Sequence, residues 1–216
     1  MSLDALRGFD MFWIVGGAGI LRALEKFSGS PLLSGIRQQL THVEWAGFRF
    51  YDLIFPLFVF IAGVSLTFST GKAVERSGKA GAVKRLLSRG LLLFLVGVFY
   101  SGGLSQGLDG VRWLGVLNRI AVASTAAGIL LVFLPVRALM GVCAGLLLGY
   151  WALFAWVPIR AIQLTPTAVQ EGMARTGATN ALQLYQNTPQ RVRGVYEPGL
   201  NVVNHFDFEH LPGKRY

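Results

Sequence analysis

Charge is what this sequence has least of. Only 14% of its 216 residues are Asp, Glu, Lys or Arg, whereas a soluble globular domain carries about 25%. Acidic residues are scarcer than basic ones, 11 against 20, which leaves a formal net charge of +9. In a soluble protein that imbalance suggests nucleic acid. No nucleic-acid motif is present, however, and the basic residues fall between apolar runs, where membrane topology accounts for them. Cysteine is nearly absent: Cys143 stands alone. An intrachain disulfide is therefore excluded, and no Cys/His spacing suggests zinc. A Gly-rich phosphate loop and a Ser-His-Asp arrangement are also missing, and with no metal-ligand set present no metal is expected. The N-terminus lacks the basic stretch and the small-residue cleavage site of a secretory signal, so its first apolar run reads as a retained helix.

Hydrophobic residues are present in excess, at 53% with a mean hydropathy of +0.50. They gather into runs at about 9–24, 53–70, 86–104, 116–134 and 138–156. Crossing a hydrocarbon core takes about 20 helical residues. Lipid offers the backbone no hydrogen bonds, so such runs should be helices, and the alternation of a transmembrane barrel is absent. The expected fold is all-α, a polytopic transmembrane bundle of about five helices over 1–156, followed by an exterior loop over 157–216. Between the second and third runs lie Lys72, Arg76, Lys79, Lys84, Arg85 and Arg89 against one acid, Glu75. That excess marks a cytoplasmic loop. It places the N-terminus in the cytoplasm, and segments 25–52, 105–113 and 157–216 outside a plasma (inner) membrane. Trp113, Tyr150, Trp151 and Trp156 fall at expected membrane borders. Gly141, Gly145 and Gly149 share one helix face and suit close packing. Gly16, Gly17 and Gly19 do the same, and also permit a bend or a close ligand approach. The tail ends without a finished domain, so the sequence reads as a fragment lacking its C-terminal half.

Polar groups in or beside membrane helices are costly and are functional candidates by default. Asp4, Arg7 and Asp10 are spaced for one helical face; an ion pair that only fixes orientation is the simpler alternative. His42, Glu44 and Asp52 form a second cluster. Imidazole is suited to moving protons near neutral pH, although Asp52 is also placed to cap a helix. Arg112, Asn118 and Arg119 form the third. Arg119, just inside an apolar run, should snorkel or pair with a carboxylate, with Asp10, Asp52 and Asp109 as candidates.

Three stretches carry a family resemblance: residues 2–11 with Asp4, Arg7 and Asp10; 42–66 with His42, Glu44, Trp45, Gly47, Asp52 and Pro56; and 112–121 with Arg112, Asn118 and Arg119. Together with Asn201, Asn204, Asp207 and Leu211-Pro212-Gly213, they resemble the bacterial relatives of heparan-α-glucosaminide N-acetyltransferase, a family of transmembrane acyltransferases. The resemblance implies a larger fold of about ten or eleven helices. It also implies acetyl transfer from cytoplasmic acetyl-CoA, as co-substrate, to an amino sugar on the outer side. His42 matches the family's proposed active-site histidine, with Glu44 or Asp52 orienting the ring. Asp4, Arg7, Asp10, Arg112, Asn118 and Arg119 are then expected to bind substrate or cofactor. At Gly16 the sequence departs from the best-known member, which has Asn there. Expected partners are a small-molecule or glycan acceptor and membrane lipids, with a homo-oligomer left open and no nucleic acid. The second reading is a non-enzymatic transporter, or a lipid- or sugar-handling protein, of the same fold.

Overall fold

The computed structural model describes residues 2–28, 30–102, 111 and 113–211. The first apolar run lies within a longer helical stretch. Helix α1 (Ser2–Phe12) passes through a π-helical turn at Trp13–Gly17 into α2 (Ala18–Ser28). Glycine suits that widened turn: a Cβ on Gly17 would sit 2.7 Å from the Phe12 ring. Helix α3 (Pro31–Gln39) begins with proline in its first turn, where the missing N–H costs nothing. Arg37 Nε meets Glu25 Oε2 at 2.7 Å and ties α3 to α2.

The long helix α4 (Phe50–Tyr100) corrects one expectation. The basic stretch between the second and third apolar runs is helical, broken only at Gly78 (φ 68°, ψ 177°). Its Ala, Lys, Arg and Glu are good helix formers, so a fall in hydropathy here is not a fall in helicity. Helix α5 (Val116–Phe133) ends before Pro135, and α6 (Val136–Trp156) follows it. Among the described residues, α4, α5 and α6 are long and apolar enough to cross a membrane. The difference from the five runs has two causes. The second and third runs share α4, and the π turn divides the first into α1 and α2, each of 11 residues.

The chain divides into two compact units. In the first (Met1–Gly90 with Val122–Val132), Ala73, Ala82 and Val132 form a buried cluster against Val74, Val83 and Leu86. Small residues set the packing distance there: a Cβ on Gly128 would lie 2.7 Å from Leu86, and one on Gly90 would collide with Thr125. In the second unit (Leu91–Ala121 with Phe133–Tyr216), the same device joins Gly97 to Asn118.

That second unit also contains the polar segment after α6, which folds rather than trailing as a loop. Strand β1 (Ile159–Arg160) pairs antiparallel with β2 (Arg191–Val192), a short ladder in an otherwise helical chain. Thr165, Asn180 and Asn201 cap α7 (Pro166–Thr176), α8 (Ala181–Gln186) and α9 (Val202–His210) through their side-chain oxygens. Gly199, at φ 71°, is needed because a Cβ there would lie 2.8 Å from the Thr165 amide nitrogen. Buried His205 joins the pieces. Its Nε2 donates to the Ile162 carbonyl at 3.1 Å, and its Nδ1 lies 3.2 Å from the Tyr185 hydroxyl. Burial pushes the His205 pKa down, despite a contribution from the Ile162 hydrogen bond that raises it.

Candidate active site

His42 lies in the connection between α3 and α4, ten residues before Asp52 in the first turn of α4. The two meet: His42 Nδ1 is 2.7 Å from Asp52 Oδ1. The other carboxylate oxygen, Oδ2, accepts the Arg49 backbone N–H at 3.0 Å. This is the reciprocal half of a capping box, with an acid at the third helical position reaching back to the residue before the helix. Asp52 therefore caps the helix and holds the imidazole at once. Arg49 braces the same loop from its side chain, with Nη1 donating to Thr41 Oγ1 at 2.7 Å and to the His42 carbonyl at 3.0 Å. The Tyr51 ring packs edge-on against His42, with centroids 4.9 Å apart.

A carboxylate at Nδ1 places the imidazole proton there and leaves the lone pair of the neutral ring on Nε2. No hydrogen bond occupies Nε2 among the described residues. The His42 side chain is 67% exposed while Asp52 is 21% exposed, so the ring stands open while the acid that orients it is sheltered. Glu44 is exposed; the acid on the ring is Asp52.

The α1 cluster is only partly assembled. Arg7 Nη1 reaches Asp4 at 3.5 Å, an exposed pair, and Arg7 Nη2 donates to Ser65 Oγ on α4 at 2.8 Å. Asp10 is fully buried, and neither carboxylate oxygen has a hydrogen-bond partner among the described residues. A buried carboxyl without a partner is costly, which makes Asp10 the polar group of α1 in most need of a ligand. Lys72, Arg76, Lys79, Lys84, Arg85 and Arg89 are all exposed along α4.

The third cluster lies in the second unit. Asn118 is fully buried and donates to the Phe94 carbonyl at 3.3 Å, with its Oδ1 unpartnered. Arg119 is exposed. Its charge acts on Asp207 of α9, lowering a carboxyl pKa that burial raises more strongly. Asp207 is thus a carboxylate that the sequence reading did not pair with Arg119. Arg112, Asp109, most of the 105–113 link and the tail from Pro212 lie outside the described residues. Among the described residues, no group of His, Cys, Asp or Glu could hold a metal ion.

Sequence reasoning missed Arg49 and Ser65. Arg49 carried a signal in its position three residues before Asp52. Ser65, a small polar residue in an apolar run, carried none.

Residues 1–173 match the family described as "Heparan-alpha-glucosaminide N-acetyltransferase, catalytic". The match includes the His42–Asp52 pair, the α1 cluster and Asn118–Arg119. Two curated relatives bear the name heparan-alpha-glucosaminide N-acetyltransferase. The protein of Mus musculus is 31% identical over 128 residues, covering 52% of this chain and 19% of that protein. The protein of Homo sapiens is 30% identical over 125 residues, covering 51% and 19%. The matched stretch thus spans about a fifth of the length of each relative. With 173 of its residues within the family's catalytic region, the chain belongs to the heparan-alpha-glucosaminide N-acetyltransferase family.

Proposed function

We propose that this chain is part of a membrane acetyltransferase in which His42 is the general base. Its acetyl donor is cytoplasmic acetyl-CoA, and its acceptor is the amino group of an amino sugar outside the membrane. The observation that carries the reading is the His42–Asp52 contact at 2.7 Å through Nδ1, on a ring that is largely exposed. An amino sugar is largely protonated near neutral pH and cannot attack until it loses that proton. His42 Nε2 accepts it, the freed nitrogen forms a bond to the thioester carbonyl carbon, and the C–S bond breaks as CoA leaves; the acylated nitrogen sheds its second proton to the CoA thiolate. Asp52 stabilises the imidazolium formed on the way.

The remaining roles rest on the family resemblance and on the charge and polarity of the residues. The exposed basic residues of α4, from Lys72 to Arg89, attract the phosphates of CoA. Asp10, Arg7, Asp4, Asn118, Arg119 and Arg112 belong to substrate and cofactor binding. Five membrane crossings are proposed, with the continuous stretch from α1 to α2 as the first and the two parts of α4 as the second and third. The N-terminus is then cytoplasmic, and 25–52 and 157–216 face outward from the inner membrane.

His42→Ala in the membrane-embedded protein tests the assignment, with transfer of radiolabelled acetyl to a panel of amino sugars as the readout. Turnover should fall by about 10²–10⁴-fold, the usual range for loss of a general base, while acetyl-CoA binding persists. Near-normal acetylation by the variant would remove His42 from the mechanism.

A further inference from the structure

The β1–β2 ladder sets Arg160 directly opposite Arg191. Cross-strand partners share a face with Cβ atoms about 4.5–5.5 Å apart, and like charges so placed repel. No carboxylate forms an ion pair with either guanidinium among the described residues. Arg160 is fixed in place nonetheless. Its Nη1 donates to the carbonyls of Gln186 at 3.3 Å and Thr188 at 3.0 Å, and its guanidinium lies 5.0 Å from the Tyr185 ring centroid. The ladder therefore brings two cations side by side, Arg160 fixed and Arg191 exposed, where one anion would satisfy both.

Both arginines line a cavity of about 190 Å³, which Tyr185, His205 and Glu209 also line. The volume is below the roughly 300–1,000 Å³ of most small-molecule pockets, so it suits a headgroup-sized ligand. Tyr185 and His205 are buried and joined to each other, and burial favours the uncharged form of each. The fixed charge thus comes from Arg160, Arg191 and Glu209. Glu209 is exposed and forms no ion pair among the described residues. The cavity lining therefore carries charge of both signs, and no ion pair joins Glu209 to either arginine among the described residues.

The cavity begins where α6 ends. Its lining includes Val157, the residue after Trp156. The membrane-length window of α6 contains no buried residue, and Trp151 and Trp156 pack edge-on at its end with centroids 5.7 Å apart. Tryptophan at the end of an apolar helix marks the headgroup level of a bilayer.

We propose that this cavity binds a phosphodiester headgroup bearing a primary ammonium, with the phosphate between Arg160 and Arg191 and the ammonium at Glu209. The site is separate from the one proposed for acetyl transfer and does not depend on that reading. A phosphate joined to a primary ammonium occurs on a membrane lipid, as the diester, and on free O-phosphoethanolamine, as the monoester, and the position beside α6 favours the lipid.

The test is calorimetric titration of the detergent-extracted protein with three ligands: dihexanoylphosphatidylethanolamine, dihexanoylphosphatidylglycerol and O-phosphoethanolamine. Saturable binding is expected for the first, with weaker binding of the glycerol headgroup. Arg191→Gln should weaken binding by about tenfold or more, as loss of a charge-assisted contact does. Glu209→Gln should instead erase the preference between the two lipids. Both side chains are exposed, so an unchanged melting curve for each variant will separate lost binding from lost fold. Free phosphoethanolamine binding as tightly as the lipid would support the site and assign its ligand to solution; weaker binding assigns it to the membrane. Absence of saturable binding by all three ligands, or variants that titrate like the parent, would overturn the proposal.

Discussion

Asp52 sets one carboxylate oxygen on the helix and the other on the ring. Replacing it with Asn keeps an acceptor for the Arg49 amide but removes the charge that orients and stabilises the imidazole. Groups that orient a functional residue from behind typically matter by about 10–100-fold, and Asp52→Asn should reduce acetyl transfer to that degree. Glu44→Gln should leave turnover near the parent value, as exposed substitutions usually do; parallel turnover assays on the two variants separate the roles. His42 and Asp52 were legible in the sequence as a histidine and an acid bracketing the start of an apolar run. Which acid meets the ring was not legible, because that depends on how the loop folds back through Arg49 and Thr41. His205 gave no sequence signal at all, since its partners Tyr185 and Ile162 are 20 and 43 residues away. Its depressed pKa has a consequence for stability. The unfolded chain takes up a proton near pH 6.5 that the folded form resists, so stability falls as pH drops through that value and levels off below the folded pKa. Asp207, pushed up by burial, works in the opposite sense, favouring the fold at low pH and losing that contribution as pH rises through its folded pKa. Thermal melts of the parent and His205→Gln between neutral and mildly acidic pH should show a steeper acid-side loss in the parent.

At the scale of the element, hydropathy located the apolar stretches well and their boundaries poorly. It registers charge, not backbone conformation, so the Lys- and Arg-rich part of α4 read as a loop although its residues favour helix. The π turn was visible only as a cluster of glycines. Contacts between helices were less legible still. The glycines at 141, 145 and 149 leave one helix face open, since a Cβ at any of them meets no other atom within 4 Å among the described residues. Among the described residues, the tight approaches between membrane-length helices occur at Gly90, Gly97 and Gly128. Gly97→Ala would drive a methyl into Asn118 and Leu117. Overpacking of this kind costs about 1–3 kcal/mol, so the variant should melt measurably earlier in detergent, whereas Gly145→Ala should not.

At the scale of the whole molecule, the proposed orientation rests on the basic residues of α4, and impermeant thiol labelling of intact cells checks it. In a Cys143→Ala background, Ala174→Cys on α7 should react from outside and Ala80→Cys on α4 only after the membrane is opened; the reverse pattern would invert the topology. Both positions are exposed, so failure to react reports sidedness rather than burial. The π turn at Trp13–Gly17 bears on sequence length as well as shape. A π turn holds more residues than an α turn, so it acts as a spacer of chain within an otherwise regular rod. Shortening it by one residue would let it close to an ordinary α turn, leaving the helix continuous and the faces before and after it in the same relation. The same deletion in a regular α-helix, which has no surplus residue, would rotate one side by about 100° relative to the other. The turn thus works like slack in a rope: loss of a single codon there leaves Arg7 within reach of Ser65 and Asp10 in its buried position.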